Sequence, residues 1–306
     1  MSSYLLISTF TLTLLLTILS IGVFFSFRIL TFPDLTCDGT FPLGAAISAL
    51  AITMGIHPIP AIILSVIGGA IAGYFVGILS MNFKVPGVVS SILVMTGLYS
   101  INLFLLQKPN LSIYEYETVF SKFSDLLGDL LSGFAYSREI SAILLLSIIL
   151  LLIIVFLAVF LNTRSGLKIQ IAGDSSKTAL IQGININIWT CIGLCLSHSV
   201  IALSGSLFAQ YQKFADVNSG IGMVVIGLAA VFIGDALETT FLKRKNLLFS
   251  LIFVFVGTLI YRYVLSLVLS LGIDNTFTNI LTSALVLLSI LLPKIRADIK
   301  SVFRVW

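Results

Sequence analysis

Long apolar runs separated by short polar ones fill this chain from end to end. Runs near the roughly twenty residues that an α-helix needs to cross a bilayer lie at 4–27, 41–56, 60–80, 87–106, 140–162, 186–208, 221–239, 247–270 and 276–293. They lack the alternating pattern of a membrane barrel. Backbone groups in lipid need internal partners, so the runs are read as helices. Two look interrupted: 41–56 opens on Pro42 and Gly44, and 221–239 carries Gly222, Gly227 and Gly234. Both are expected to be broken or re-entrant, which is tolerated where backbone faces protein or a wet cavity. Gly69, Gly73 and Gly77 form a stripe on one face of the third run. Packing within the chain is favoured over a seam between copies, because several helices of the same chain compete for that face.

Composition agrees with the pattern. Of 306 residues 58% are hydrophobic and 10% charged, and the mean hydropathy is +1.13, far from a soluble balance. The expected fold is all-α, a polytopic transmembrane bundle of roughly 8–10 helices with discontinuous segments, forming a single transmembrane domain over 1–306. No charge precedes Arg28, so the first run lacks the basic start of a secretory signal and is expected to be a retained helix.

Charge sets the expected orientation, since short cytoplasmic loops hold the excess of Lys and Arg. Arg164, Lys168 and Lys177 put 162–185 in the cytoplasm, as do Lys243, Arg244 and Lys245 for 240–246, and Lys294, Arg296, Lys300 and Arg304 for the tail. The loop 107–139 mixes acids with few bases and is expected outside, with a surface helix within Tyr114–Leu131 whose apolar face is Val119, Phe123, Leu126, Leu127 and Leu130. The side of the N-terminus stays open.

Candidate chemistry is sparse. Lys177-Thr178 resembles the end of a phosphate-binding loop, but Ser176 and Ile171 stand where its glycines belong, so no nucleotide site is expected here. Cys191 and Cys195 share a helical face with no further ligand near in sequence, and are read as packing residues; no metal is expected. His57 before Pro58 reads as a loop residue, and His198 as a hydrogen-bonded packing residue rather than a proton relay, because no second acid adjoins it. Arg262, between Tyr261 and Tyr263, is either a pathway charge or, as favoured, an interfacial Arg beside two belt tyrosines.

Two polar interruptions look alike: DLTCDGTFPLGAA at 34–46 and DVNSGIGMVVIGLAA at 216–230. Corresponding Gly- or Pro-interrupted segments in two halves of a transporter point to its translocation path. Asp34, Asp38, Gly39, Phe41, Asp216, Asn218 and Gly220 are the candidates for that path. Each aspartate has a second reading, as the cap of the helix that follows.

The loop TRSGLKIQIAGDSSKTALIQGIN at 163–185 resembles the cytoplasmic loop of the permease subunits of bacterial ATP-binding cassette importers, in the branched-chain amino acid and ribose branch. Arg164, Gly166, Gly173, Asp174, Ala179, Gly183 and Ile184 match, while Gln170 and Ile171 depart from the usual Arg and Ala. The likeness extends through 203–237 and 34–46, and is strongest to a subgroup associated with aromatic amino acids or with no assigned substrate. It implies a fold like that of type II importers, the cytoplasmic (inner) membrane, and a solute imported across it, with an amino acid as the expected cargo. It also implies a coupling helix docking on a separate ATPase that binds ATP and Mg, an extracytoplasmic substrate-binding protein, and a second permease subunit, identical or not. No cofactor, catalytic centre or nucleic acid is expected for this chain. The coupling helix is expected to begin near Asp174, to lie between Gly173 and Gly183, and to bury Ala179, Leu180 and Ile181 against the ATPase. Alternatives are an ion-coupled secondary transporter, using an intramembrane acid, and a non-transporting membrane scaffold.

Overall fold

A computed structural model describes residues 3–128, 136–242, 247–271, 277 and 280–288. Within them the chain is helical almost throughout. The apolar runs become α1 (Ser3–Phe24), which passes into a π-helical turn over Phe25–Ile29, then α2 (Cys37–Thr53), α3 (Pro58–Met81) and α4 (Gly87–Leu106). After a two-stranded interlude come α5 (Val119–Leu126), α6 (Ser137–Leu161), α7 (Arg164–Asp174), α8 (Ser176–Ile181) and α9 (Ile186–Gln212). The last are α10 (Met223–Phe241) and α11 (Leu247–Ser270). Seven of these helical stretches are long and apolar enough to cross a membrane. Residues 280–288 are also helical; apart from residue 277, the rest of the ninth predicted run lies outside the described residues, as do the basic 243–245 cluster and the basic tail.

The helices differ in what they face. In α1 the most apolar window is 83% buried, whereas in α6, the most hydrophobic helix, it is only 22%. α6 therefore lies at the outside of the bundle and α1 is a central post. Four hydroxyls on α1 make that burial tolerable by donating to the carbonyl four residues back: Thr11 to Ile7, Thr13 to Thr9, Thr17 to Thr13 and Ser20 to Leu16.

The glycine stripe of α3 is used inside the chain. A Cβ at Gly69 would meet the His198 carbonyl and Ala202, one at Gly73 would meet Leu194 backbone, and one at Gly77 would meet Cys191. Small residues there let α3 and α9 touch backbone to backbone. Cys191 is thus a packing partner of that stripe.

Short strands β1 (Asn110–Ser112) and β2 (Phe214–Asp216) pair antiparallel, Asn110 opposite Asp216, and tie the loop after α4 to the loop after α9. Nearby, α5 is shorter than the sequence pattern suggests. Thr118 forms a capping box with Ser121, and Phe120, packed edge-on to Tyr211 with ring centroids 5.5 Å apart, is what the helix buries. Leu126, expected on the buried face, is exposed, and Leu130 lies outside the described residues. At the other end of α2, His57 caps α3, its Nδ1 accepting from the Ile59 N–H at 3.3 Å, with Pro58 supplying the preset first turn.

Candidate functional site: a jointed segment between two helix breaks

The segment 28–38 joins the π-turn of α1 to the start of α2 and is bonded to four other helices, α4, α7, α9 and α10. Residues 30–36 lie outside the helices; the Leu30 and Phe32 N–H groups bond back to the Phe25 and Ser26 carbonyls, and Pro33 has no N–H to continue the ladder. Thr31 sits at φ +51, a left-handed conformation costly for a β-branched residue. Its hydroxyl donates to the Gly173 carbonyl at 2.6 Å. Gly173 allows the approach: a Cβ there would strike the Ile29 carbonyl and Leu30. Just before this contact, Arg28 pairs with Asp235 of α10 at 3.3 Å, in an exposed setting.

The middle of the segment is fixed by buried polar groups. Asp34 is 2% exposed and His198, on α9, fully buried. His198 Nε2–H donates to Asp34 Oδ2 at 2.7 Å, and the other oxygen accepts from the Thr36 N–H at 2.9 Å. On its far side His198 Nδ1 pairs with the Thr40 hydroxyl at 2.9 Å. The Thr36 hydroxyl donates to the Ser91 carbonyl of α4 at 3.2 Å.

The end of the segment meets the second break. After β2, a 3₁₀ turn (Val217–Gly220) leads to Gly222, at φ +82, and into α10. Gly222 has no side chain to cap that helix, and Asp38 supplies the cap from α2: its carboxylate accepts from the Gly222 N–H at 3.0 Å and the Val224 N–H at 2.8 Å. Pro42, inside α2, has no N–H to give the Asp38 carbonyl; the Gly220 backbone lies against that carbonyl where a Cβ would collide. The Asn102 side-chain amide donates to the Gly39 carbonyl at 3.0 Å. The two similar interruptions are therefore in contact, joined by one aspartate.

Each candidate from the sequence has a place here. Asp34 and Asp38 are the two joints. Asp216 caps its own 3₁₀ turn, accepting from the Asn218 N–H at 2.7 Å, which is the capping alternative. Removing that cap costs about 1 kcal/mol, so Asp216→Ala is expected to change solute uptake by less than about twofold; a larger loss would give Asp216 more than a cap's role. Gly39, Phe41 and Gly220 are buried and only Asn218 is exposed. Phe41 is fully buried and packed on Phe208 with ring centroids 5.4 Å apart.

Three expectations need correction. His198 does have an acid beside it, Asp34, 164 positions away in sequence. Tyr261 is no belt residue: it is buried and pairs with the Thr282 hydroxyl at 2.9 Å. Arg262 lies on the face of α11 between Thr258 and Ser266, which reach Ser20 and Thr9 of α1, and its Nε is buried with no partner among the described residues.

The loop between α6 and α9 is two helices rather than one. Gly173 lies in the last turn of α7 instead of marking a helix start. Ser175 caps α8, its hydroxyl accepting from the Thr178 N–H at 3.3 Å. Gly183, at φ +68, ends α8 as expected: Gly183 N–H reaches the Leu180 carbonyl and Ile184 N–H the Ala179 carbonyl, closing the helix in the manner of a left-handed C-terminal cap. Ala179 is buried within the chain, whereas Leu180 and Ile181 are 70% and 86% exposed. Ala179 thus seats α8 on its own protein, and Leu180 and Ile181 form its free apolar face. Arg164 and Asp174 are exposed, and Gly166 packs on the end of α6.

A bundle with seven helices long and apolar enough to cross a membrane, two of its helix starts joined through Asp38, defines a polytopic membrane protein. The chain matches the family described as branched-chain amino acid transport system / permease component over residues 5–290, and it belongs to that family. It is similar to a tyrosine transport system permease protein of Clostridioides difficile, 36% identical over 261 residues, 85% of this chain and 81% of the relative. It is also similar to an uncharacterised protein of Rickettsia prowazekii, 32% identical over 249 residues, 81% of this chain and 83% of the relative. A more distant likeness is to an inner membrane ABC transporter permease protein of Escherichia coli, 25% identical over 183 residues, 60% of this chain and 53% of the relative. No solved structure matched significantly. The protein is a multi-pass inner-membrane component of a transport system.

Proposed function

We propose that this chain is the permease subunit of an ATP-binding cassette importer, moving an amino acid, with an aromatic one the first to test, into the cytoplasm. The observation that carries the reading is the continuity of segment 28–38. One end is bonded to α7, in the loop that carries the exposed helix α8, and the other caps the helix that starts at the second break. The names of the relatives support the solute class and the transport system.

In this reading 163–185 is cytoplasmic, in keeping with its basic charge, and 107–139 faces outward. Because residues 28–31 touch α7, α1 runs inward and its start lies outside. A cytoplasmic ATPase grips α8 by Leu180 and Ile181 and holds the ATP and Mg; this chain supplies no catalytic group. An external binding protein delivers solute, and a second permease subunit completes the path around the two breaks. ATP binding favours one arrangement of the ATPase pair, and drives transport only as far as it does so.

The test is a reconstituted permease with its ATPase and binding protein. Leu180→Glu with Ile181→Glu is expected to leave insertion in the membrane intact, to cut recovery of the ATPase with the permease at least tenfold, and to abolish uptake. ATPase recovery at the normal level would remove α8 as the docking helix. Uptake by vesicles holding this chain without any ATPase would instead favour ion-coupled transport.

A further inference from the structure

We propose that Asp34, His198 and Thr40 form a clamp that converts displacement of the α7–α8 loop into movement at the α2–α10 junction, so that these are positioning residues for transport. This role rests on the reading of the protein as an ATP-driven permease.

Residues 30–36 lie outside the helices; the Leu30 and Phe32 N–H groups still reach back to the Phe25 and Ser26 carbonyls of the π-turn, and the ladder gives out from Pro33 on. A helix transmits a push because each turn is bonded to the next; an unladdered stretch transmits one only where side chains hold it. Residues 33–36 can extend to about 13 Å, slack enough to absorb a small movement of the loop. Here the stretch is held at Thr31 by the Gly173 carbonyl, at Asp34 by His198, and at Thr36 by the Ser91 carbonyl. His198 is the middle anchor, and it also holds α2, through Thr40. It projects from α9, which packs on α1, α2 and α3 and touches α3 backbone to backbone at Gly69 and Gly73. The anchor is therefore fixed to the most closely packed part of the bundle. A push entering at Thr31 meets a pivot at Asp34–His198 and leaves through Asp38, whose carboxylate holds the first N–H groups of α10.

An acid and a histidine buried together inside a membrane protein are costly to keep and usually mark a working part. Solute recognition is a poorer account of this pair, because both side chains are enclosed and each polar atom of the imidazole is already engaged. The strained Thr31 points the same way: a left-handed β-branched residue persists only where its surroundings over-determine it, as the bond to Gly173 and the contact of Gly173 with Leu30 do.

The decisive measurement is ATP hydrolysed per solute imported by the reconstituted permease–ATPase assembly, for Asp34→Asn, His198→Gln, the double variant, Thr40→Val and Thr40→Ser. The expected result is a ratio raised at least tenfold in Asp34→Asn and His198→Gln, with KM for the solute within about twofold of wild type. The double variant should be no worse than either single one, since the two act as one contact. Thr40→Val should raise the ratio less, and Thr40→Ser, which keeps the hydroxyl, should restore it. A wild-type ratio in the single variants, or uptake and hydrolysis falling together, overturns the clamp. If either Asp34 or His198 variant fails to assemble with the ATPase, the Thr40 pair decides: a normal ratio in Thr40→Val overturns it. A wild-type assembly without ATP-dependent uptake would overturn the functional reading instead, a result independent of these variants.

Discussion

Leucine in place of Gly44 or Gly205 is expected to prevent the protein from reaching a stable fold. At Gly44 the first atom of any side chain would fall on the backbone of Ala202, and at Gly205 on the carbonyl of Phe41. Both collisions are between α2 and α9, where main chain meets main chain and no flexible side chain is present to move aside. Ordinary overpacking costs about 1–3 kcal/mol because neighbours shift. Here the helices themselves must separate, so the cost is expected to exceed about 4 kcal/mol, a large part of the roughly 5–15 kcal/mol that holds a typical domain together. The measurement is the fraction of detergent-extracted protein that elutes as a monodisperse species, and its melting temperature. Gly97 provides the contrast. It lies on α4, where a Cβ would meet nothing within 4 Å, and Gly97→Ala is expected to be neutral or to stabilise slightly by improving helix propensity. Equal tolerance at 44, 97 and 205 would mean that α2 and α9 do not touch as described.

Asp38→Ala is expected to abolish uptake. The carboxylate accepts two N–H groups of α10, from Gly222 and Val224, and Gly222 offers no side chain of its own. Hydrogen bonds to a charged group contribute about 1.5–3 kcal/mol each, so the loss is on the order of 3–6 kcal/mol, enough to free the start of α10 from α2. Asp38→Asn keeps one acceptor oxygen and turns an N–H₂ toward the other backbone N–H, so an intermediate loss is expected. Initial uptake rates in proteoliposomes at matched protein content check both, with thermal melting run in parallel to show whether the bundle survives. Undiminished uptake by Asp38→Ala would leave the junction of the two breaks without a role in transport. The contrast with Asp216→Ala matters: both aspartates cap a helical turn, but Asp216 caps its own and Asp38 caps that of another helix.

The two aspartates also separate local from non-local information. Helix positions were legible because the bilayer imposes a length and a polarity on every crossing segment, and α4 and α11 occupy the predicted runs 87–106 and 247–270. The end of α8 was legible at Gly183, because a left-handed residue after a helix is a local demand. The α3 glycine stripe announced a close neighbour, though only the structure identified α9.

What the sequence left ambiguous was partnership. Asp34 and Asp38 each read as path or cap, since a carboxylate before a helix serves either purpose and nothing local says which. His198 read as packing because its acid lies 164 residues away; its one legible signal was a histidine in the middle of an apolar helix, which in lipid calls for a partner. Ala179 read as part of the docking face because it adjoins Leu180 and Ile181, and only the way α8 seats on its own chain buried it. By itself, then, the order of residues determined a polytopic helical protein with two polar interruptions and a basic loop, because solvent and lipid act on each segment separately; the runs 41–56 and 221–239, expected to be broken, are continuous helices, and the irregular backbone lies just before each. Tertiary structure decided that the interruptions touch, which aspartate joins them, and that a histidine anchors the segment between, because those pairings depend on how distant helices cross and close on one another.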